Sequence, residues 1–185
     1  MVVNPCADAA INNQIRVVAR DAAGRQLGDD TSDTGAHLPV ILPGQRLGVT
    51  ALIRLSEHAG SVASLGIDLV SFDLVAPSLF MAWPKSATAE DLAYEVLDAA
   101  GDTRLTFHVR TDPPSAALCH PVAQVIVRDH AGRIVYGRAQ PVDGSIVTVE
   151  LRLPTGADRS KTEVYVVQGQ YELGPNGRAE MACRA

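Results

Sequence analysis

A short segment of this 185-residue chain occurs twice, once near the start and once in the second half. Residues 17–25 have the sequence VVARDAAGR, and residues 125–133 have the sequence VIVRDHAGR. In each copy an apolar run rich in β-branched residues leads into a polar turn around glycine, and an apolar run returns. A supersecondary unit repeated in this way predicts that one small β-domain is used twice.

Alternating apolar and polar residues predict the remaining strands and the side chains that face the core. Further strands are predicted at residues 67–72 and 163–168, with a closing hairpin at residues 171–173 and 178–181. The residues predicted to face inward are Ile15, Val17, Ala19, Leu105, Phe107, Val109, Ala123, Val125, Val127, Val147, Val149, Leu151, Leu153 and, in one continuous strand, Leu47, Val49, Ala51, Ile53 and Leu55. Short strands separated by turn residues are typical of a β-sandwich, so the predicted fold class is all-β, with tandem sandwich modules.

The repeat also predicts the domain organisation. Residues 1–78 form the first predicted module, residues 79–91 a junction, and residues 92–185 the second module. One segment allows two interpretations, because residues 88–100 are rich in helix formers and Ser86 or Thr88 could cap a helix. A short helix near residues 86–98 is therefore the alternative to the favoured prediction, a turn over residues 86–91 followed by a strand.

The start of the first module is expected to be incomplete. When the two copies are aligned, residues 3–5 correspond to residues 111–113, so the first module lacks counterparts of the preceding predicted strands. Truncation of a longer chain is the favoured explanation. A strand donated by the C-terminal tail or by another subunit is the second, and a smaller first module is the third.

Composition excludes some classes of function. The net charge is -5 and neither half of the chain is basic, so the positive footprint of a nucleic-acid-binding protein is missing. No apolar run approaches the roughly 20 residues of a membrane-spanning helix. Residues 1–5 lack the features of a signal peptide. We therefore expect a protein partner rather than nucleic acid, and no transmembrane helix.

Three short motifs resemble those of a known class of domain. They are residues 2–5 (VVNP), residues 20–28 (RDAAGRQLG) and the step Leu42-Pro43-Gly44-Gln45 before a predicted strand. Together they resemble the immunoglobulin-like or fibronectin-III-like β-sandwich domains of bacterial envelope proteins, in the style of FxLYD-type modules. The resemblance implies modules outside the cytoplasm that act without catalysis or cofactor, and it transfers no functional residues. If the chain is not a trimmed piece of such a protein, a cytoplasmic or virion location is expected instead.

The cysteines allow two interpretations. Cys119 and Cys183 are candidates for a disulfide that would close a loop of about 60 residues and stabilise the second module. Three reduced thiols, with Cys6 as the third, are the alternative. The spacing is compatible with both.

The other candidate sites are weaker than their structural alternatives. Asp29, Asp30 and Asp33 could supply oxygen ligands to Ca²⁺ from a loop, but a solvated turn is the favoured interpretation. Phe80 and Trp83 could form an aromatic contact site at the junction, but packing is favoured. The repeated aspartates, Asp21 and Asp129, are expected to cap their turns. The five histidines, which show no metal-ligand spacing, are His37, His58, His108, His120 and His130.

The sequence therefore indicates a non-catalytic interaction or spacer module of a bacterial envelope or secreted protein. Such a module would bind its partner through loops or an exposed sheet edge. Two further hypotheses stay open. One is a structural protein of a phage or other assembly. The other is a hydrolase or metal-dependent enzyme with its site in a cleft near Trp83.

Overall fold

The structure is a computed structural model that describes residues 1–30, 36–38, 40–49, 53–55, 61–80, 86–98, 102–114, 118, 121–167, 171–173 and 179–181. The all-β prediction is confirmed, because the described part contains antiparallel strands and one 3₁₀ turn, Pro77–Phe80. The strands are β1 (Val2–Val3), β2 (Ala9–Arg20), β3 (Gln26–Asp30), β4 (Ala36–His37), β5 (Arg46–Leu47), β6 (Ile53–Leu55), β7 (Ser64–Val75), β8 (Ser86–Val96), β9 (Asp102–Asp112), β10 (Val122–Asp129), β11 (Ile134–Pro141), β12 (Ile146–Arg152), β13 (Ala157–Val167), β14 (Tyr171–Leu173) and β15 (Ala179–Met181).

The chain divides into two compact units. The C-terminal unit comprises Met1–Val3, Gln45–Thr50 and Ser78–Ala185, and the N-terminal unit comprises Asn4–Gly44 and Ala51–Pro77. The predicted modules did not assign the two short early segments, Met1–Val3 and Gln45–Thr50, to the C-terminal unit. Residues 86–91 of the predicted junction lie inside strand β8.

The C-terminal unit is built on a six-stranded antiparallel sheet in the order β11-β10-β13-β8-β9-β12. Strands β10 and β12 lie far apart in this order, yet their side chains share one hydrophobic core, so the sheet folds back on itself as a sandwich does. The predicted inward faces of β9, β10 and β12 are confirmed, with Val109 packed against the core from its margin. The buried members are Leu105, Phe107, Ala123, Val125, Val127, Val142, Val147, Val149, Leu151 and Leu153.

Strand β8 overturns two predictions about residues 86–98. Both the alternative helix and the favoured turn over residues 86–91 are wrong, because the strand begins at Ser86 and pairs with β9 from there to Val96. Its regularity is broken once, by a bulge between Glu90 and Ala93 in which Asp91 has a φ of 55°. The ladder with β9 satisfies the backbone groups of these helix-forming residues, and this tertiary pairing outweighs their weak intrinsic preference.

The N-terminal unit has one five-stranded sheet. Strands β4, β2, β3 and β6 follow one another in it, and β7 also pairs with β2. Strand β2 is its central and most buried strand. The predicted inward residues Ile15, Val17 and Ala19 are confirmed as buried. Val18 is buried as well, so β2 is buried on both faces near the hairpin. The first residues of the strand, at its other end, are also buried.

The predicted continuous strand over residues 47–55 is wrong. Strand β5 pairs with β1 within the C-terminal unit, whereas β6 pairs with β3 within the N-terminal unit. Beyond β5, Gly48 lies so close to β13 and β10 that a Cβ atom would stand 2.5 Å from a ring carbon of Tyr165 and 2.8 Å from Ile126. An alternating pattern tells which residues share a face, but it does not tell which strand pairs with each part of the run.

Candidate functional site

The two repeated segments form the same turn. In the first turn the Asp21 N–H donates to the Arg25 carbonyl at 2.9 Å, and the Gly24 N–H donates to the Asp21 carbonyl at 3.0 Å. The equivalent bonds from Asp129 to Arg133 and from Gly132 to Asp129 are both 2.9 Å. Each hairpin ladder also has a bulge at the equivalent place, between Ala19 and Arg20 in the first hairpin and between Val127 and Arg128 in the second.

The aspartates of the two turns have the capping role that their position predicts. The carboxylate of Asp21 accepts from the Arg25 N–H at 2.9 Å and from Arg25 Nε at 2.8 Å. Asp129 accepts from the Arg133 N–H at 2.9 Å and from Arg133 Nε at 2.7 Å. Hydrogen bonds from the backbone N–H of these arginines are the main cause that lowers the pKa of both carboxyls. The repeated residues therefore stabilise the turns.

The arginine before each turn aspartate donates a hydrogen bond to a backbone carbonyl of the turn. Arg128 also forms an ion pair that has no equivalent at Arg20 among the described residues. Arg20 and Arg128 each donate to a turn carbonyl, at 3.4 Å to Gly24 and 3.0 Å to Gly132. Arg128 also forms an ion pair with Glu163 on β13, with a 2.9 Å contact between Nη2 and Oε2. The corresponding position on β7 is a glycine, Gly66, so the pair has no counterpart there.

The strand that returns beside each hairpin differs more strongly. Strand β13 pairs with β10 on one edge, and its other edge meets β8 at Tyr165 and Thr88. Strand β7 pairs with β2 along most of its length, from Ser64 opposite Arg20 to Val75 opposite Ala9. Among the described residues, no strand pairs with the second edge of β7. The backbone groups of this twelve-residue strand that point away from β2 therefore have no strand partner in the described part of the chain.

The side chains of β7 are also unusually apolar for their exposure. Six large apolar residues of this strand are 44% to 64% exposed. Three of them share the face of the buried β2 row, since in the ladder Leu65, Ile67 and Leu69 stand opposite Ala19, Val17 and Ile15. The full set is Leu65, Ile67, Leu69, Val70, Phe72 and Leu74.

The two edge strands of the six-stranded sheet, β11 and β12, carry protective residues. Strand β11 carries Arg138 and ends at Pro141, and β12 carries Glu150 and Arg152. Arg138 Nη1 also donates to the backbone carbonyl of Glu150 at 2.6 Å, between these two edge strands. Charges and proline are common devices against unwanted strand pairing. Strand β7 contains no lysine, arginine or proline, and we call its unpaired side, over Ser64–Val75, the β7 edge.

The structure describes only some of the site residues that the sequence suggested. Asp29 and Asp30 lie in strand β3 rather than on a loop, paired with Val18 and with β6. Phe80 ends the 3₁₀ turn and is buried. Cys6 is free and exposed. The other residues of the disulfide, cation and aromatic hypotheses lie outside the described residues: Asp33, Trp83, Cys119 and Cys183.

Titratable side chains of the described part sit mostly in surface pairs. His108 contacts Asp91 at 3.2 Å, and His130 contacts Asp158 at 3.0 Å. Burial raises the pKa of Tyr94, whose hydroxyl bonds the hydroxyl of Thr162. Across the residues that the structure covers, no three metal-ligating side chains form a group.

Comparison with protein-family models, with curated proteins and with solved structures gives no match. The described part of the chain contains no helix with the length and apolarity that crossing a bilayer requires. A candidate site therefore has to be argued from the geometry of the chain, and the β7 edge is the feature that the sequence analysis missed. Its signal was visible as apolar residues on both faces of residues 65–74, a pattern that a half-buried strand does not show.

Proposed function

We propose that this chain is a non-catalytic interaction module that binds another polypeptide by strand addition at the β7 edge. The observation that carries the proposal is a long strand with one edge unpaired among the described residues, with exposed apolar side chains and with no lysine, arginine or proline. In strand addition the backbone hydrogen bonds supply affinity, and pockets between alternate side chains supply specificity.

The length of the edge suits such a ligand. Twelve residues at about 3.3 Å per residue give an edge of about 40 Å, long enough for an extended peptide of ordinary motif length. The apolar residues Leu65, Ile67 and Leu69 extend the buried row of β2 outward, so an added strand with apolar side chains on the same face would continue that row.

We also propose that the two hairpins with their return strands derive from one copied unit of the immunoglobulin-like or fibronectin-III-like type. The matched hydrogen bonds of the two turns and their matched bulges support this. An extracytoplasmic location is part of the proposal and is supported by the sequence resemblance alone.

Selection of peptides from a random library displayed on phage, with the full chain as the target, tests the binding proposal. We expect enriched peptides with alternating apolar residues, because they must match the open row of β7. Their affinity should fall at least about tenfold for Ile67→Lys, since a charge at an edge strand opposes pairing.

The control is Ile146→Lys, which places the same charge on β12 at another exposed isoleucine. Enriched peptides should bind this variant as they bind the unchanged chain. A selection that yields no binders, or binders that tolerate Ile67→Lys, would contradict the proposal.

A further inference from the structure

We infer that the strand added at the β7 edge is β7 of a second copy of this chain, which gives a two-fold symmetric dimer. This inference rests on the proposed binding edge and names its partner. Two identical edge strands related by a two-fold axis run antiparallel, and each offers the other the same unpaired N–H and C=O groups. The interface closes after two copies because the same edge is used on both sides.

The apolar surface of β7 has the size that such an interface needs. Its six exposed side chains present on the order of 500 Å², at the upper end of what the largest apolar patch of a monomer shows. A stable interface buries about 800 Å² on each partner, of which about 60%, or roughly 500 Å², is apolar. Because these side chains are divided between the two faces of the sheet, this area is the upper limit of what an added strand can cover, and that limit reaches the apolar share of one half of a dimer interface.

The charges on β7 do not oppose pairing with a second copy. The strand has only two, Asp68 and Asp73. Asp73 accepts a 2.7 Å hydrogen bond from Asn12 Nδ2, and Asp68 lies opposite Arg16 in the ladder with β2. Each carboxylate thus already faces a polar group of its own sheet. Registers that centre the two-fold axis on Asp68 or on Asp73 would set each carboxylate against its own copy, and a register that places Asp68 opposite Asp73 would also set like charges together, so these registers are disfavoured.

Sedimentation equilibrium of the full chain over about 1–100 µM tests the inference, since a dimer of this interface size should form in that range. We expect a reversible monomer–dimer equilibrium for the unchanged chain. Leu69→Lys should weaken the dimer at least about tenfold, because it puts a charge on the unprotected edge. Ile146→Lys is the matched control, since the two side chains are 59% and 60% exposed, and it should leave the dimer unchanged.

Ser71→Lys provides a second variant that removes no apolar side chain, and it should weaken the dimer in the same direction. Far-ultraviolet circular dichroism establishes that each variant is folded. A chain that stays monomeric throughout the range overturns the inference, as does equal weakening by the β7 and β12 variants. A monomer that still binds selected peptides in an Ile67-dependent way would reject the dimer while leaving the strand-addition proposal intact.

Discussion

The hairpin β2–β3 with its return strand β7 and the hairpin β10–β11 with its return strand β13 share a local structure and differ in their surroundings. The turns have the same backbone hydrogen bonds, the same aspartate cap and the same bulge. Strand β13 then meets β8, whereas the second edge of β7 meets no strand among the described residues. Turn geometry is thus set by nearby residues, while edge coverage depends on strands that are distant in sequence.

The sequences of the two return strands reflect this difference. Strand β13, ADRSKTEVYVV, begins with polar and charged residues and becomes apolar only at its end. Strand β7, SLGIDLVSFDLV, is apolar on both faces, as is typical of a strand whose two faces are covered. Strand addition would explain why a strand of this composition lies at the edge of its sheet, because the added strand would cover part of its apolar side chains.

The largest expected effect contrasts two phenylalanines. Phe107 is fully buried in the core of the C-terminal unit, whereas Phe72 on β7 is 47% exposed. Phe107→Ala should lower the free energy of unfolding by about 3–5 kcal/mol, because it leaves a cavity in a packed core. Phe72→Ala should cost less than about 1 kcal/mol in the monomer. Urea unfolding at low protein concentration measures both, and equal losses would refute the contrast.

A smaller effect contrasts two glycines. Gly48→Ala would drive a Cβ atom into the ring of Tyr165 and into Ile126, so we expect a loss of about 1–3 kcal/mol. Gly66→Ala on β7 meets nothing nearer than 4.0 Å and should change stability by less than about 0.5 kcal/mol. Thermal and urea unfolding of both variants would distinguish them. A neutral Gly48→Ala would mean that the close packing of this segment on β13 is absent.

The third prediction concerns the pH dependence of stability, which should have the same direction for both turns. Folding lowers the pKa of Asp21 and Asp129 below the ordinary value of 3.8, chiefly through backbone N–H donors. A carboxyl with a lowered pKa stabilises the fold above its unfolded pKa, and this stability is lost as the pH falls through the folded pKa. Asp21→Asn and Asp129→Asn should therefore destabilise the chain at pH 7, and the difference should shrink as the pH falls below about 4.

Unfolding by urea at pH 7 and at pH 3 measures this effect in both turns. Asp143→Asn, at an exposed aspartate outside the repeated turns, is the control, and as a surface substitution it should change stability at pH 7 by no more than about 0.5 kcal/mol. A difference that stays constant with pH would show that these carboxylates do not cap the turns in their ionised form.

The smallest expected effect separates the two turns. Arg128 pairs with Glu163, whereas the position on β7 that corresponds to Glu163 is Gly66, opposite Val18. A double-mutant cycle of Arg128→Ala and Glu163→Ala should give a coupling of about 0.5–1 kcal/mol, as for a partly exposed pair. Gly66→Glu should add a pair with Arg20 and raise stability by no more than that amount. A coupling of zero would remove this difference between the hairpins.

The core of the C-terminal unit was predictable because β9, β10 and β12 each bury one face in one core. Alternation then identifies residues such as Phe107, Val125 and Val149. The turn aspartates were predictable for a similar reason, since their partners lie within four residues along the chain. Both kinds of feature depend on information that is local in sequence.

The wrong predictions all depended on which distant strand would be the neighbour. Residues 86–91 form a strand because β9 pairs with them, and residues 47–55 are divided because β1 and β3 pair with different parts. Leu65 and Leu69 are exposed although they share the face of the buried β2 row, and this exposure depends on what packs on that face. None of these outcomes follows from local propensity or periodicity.

Hydrogen exchange along β7 and β13, measured at low and at high protein concentration, tests the account most directly. We predict that the β13 amides that pair with β10 are protected at both concentrations. The β7 amides that point away from β2 should exchange freely in dilute solution and become protected as the chain associates. Protection of those β7 amides in the dilute monomer, equal to that of β13, would show that the edge is already covered and would contradict the account.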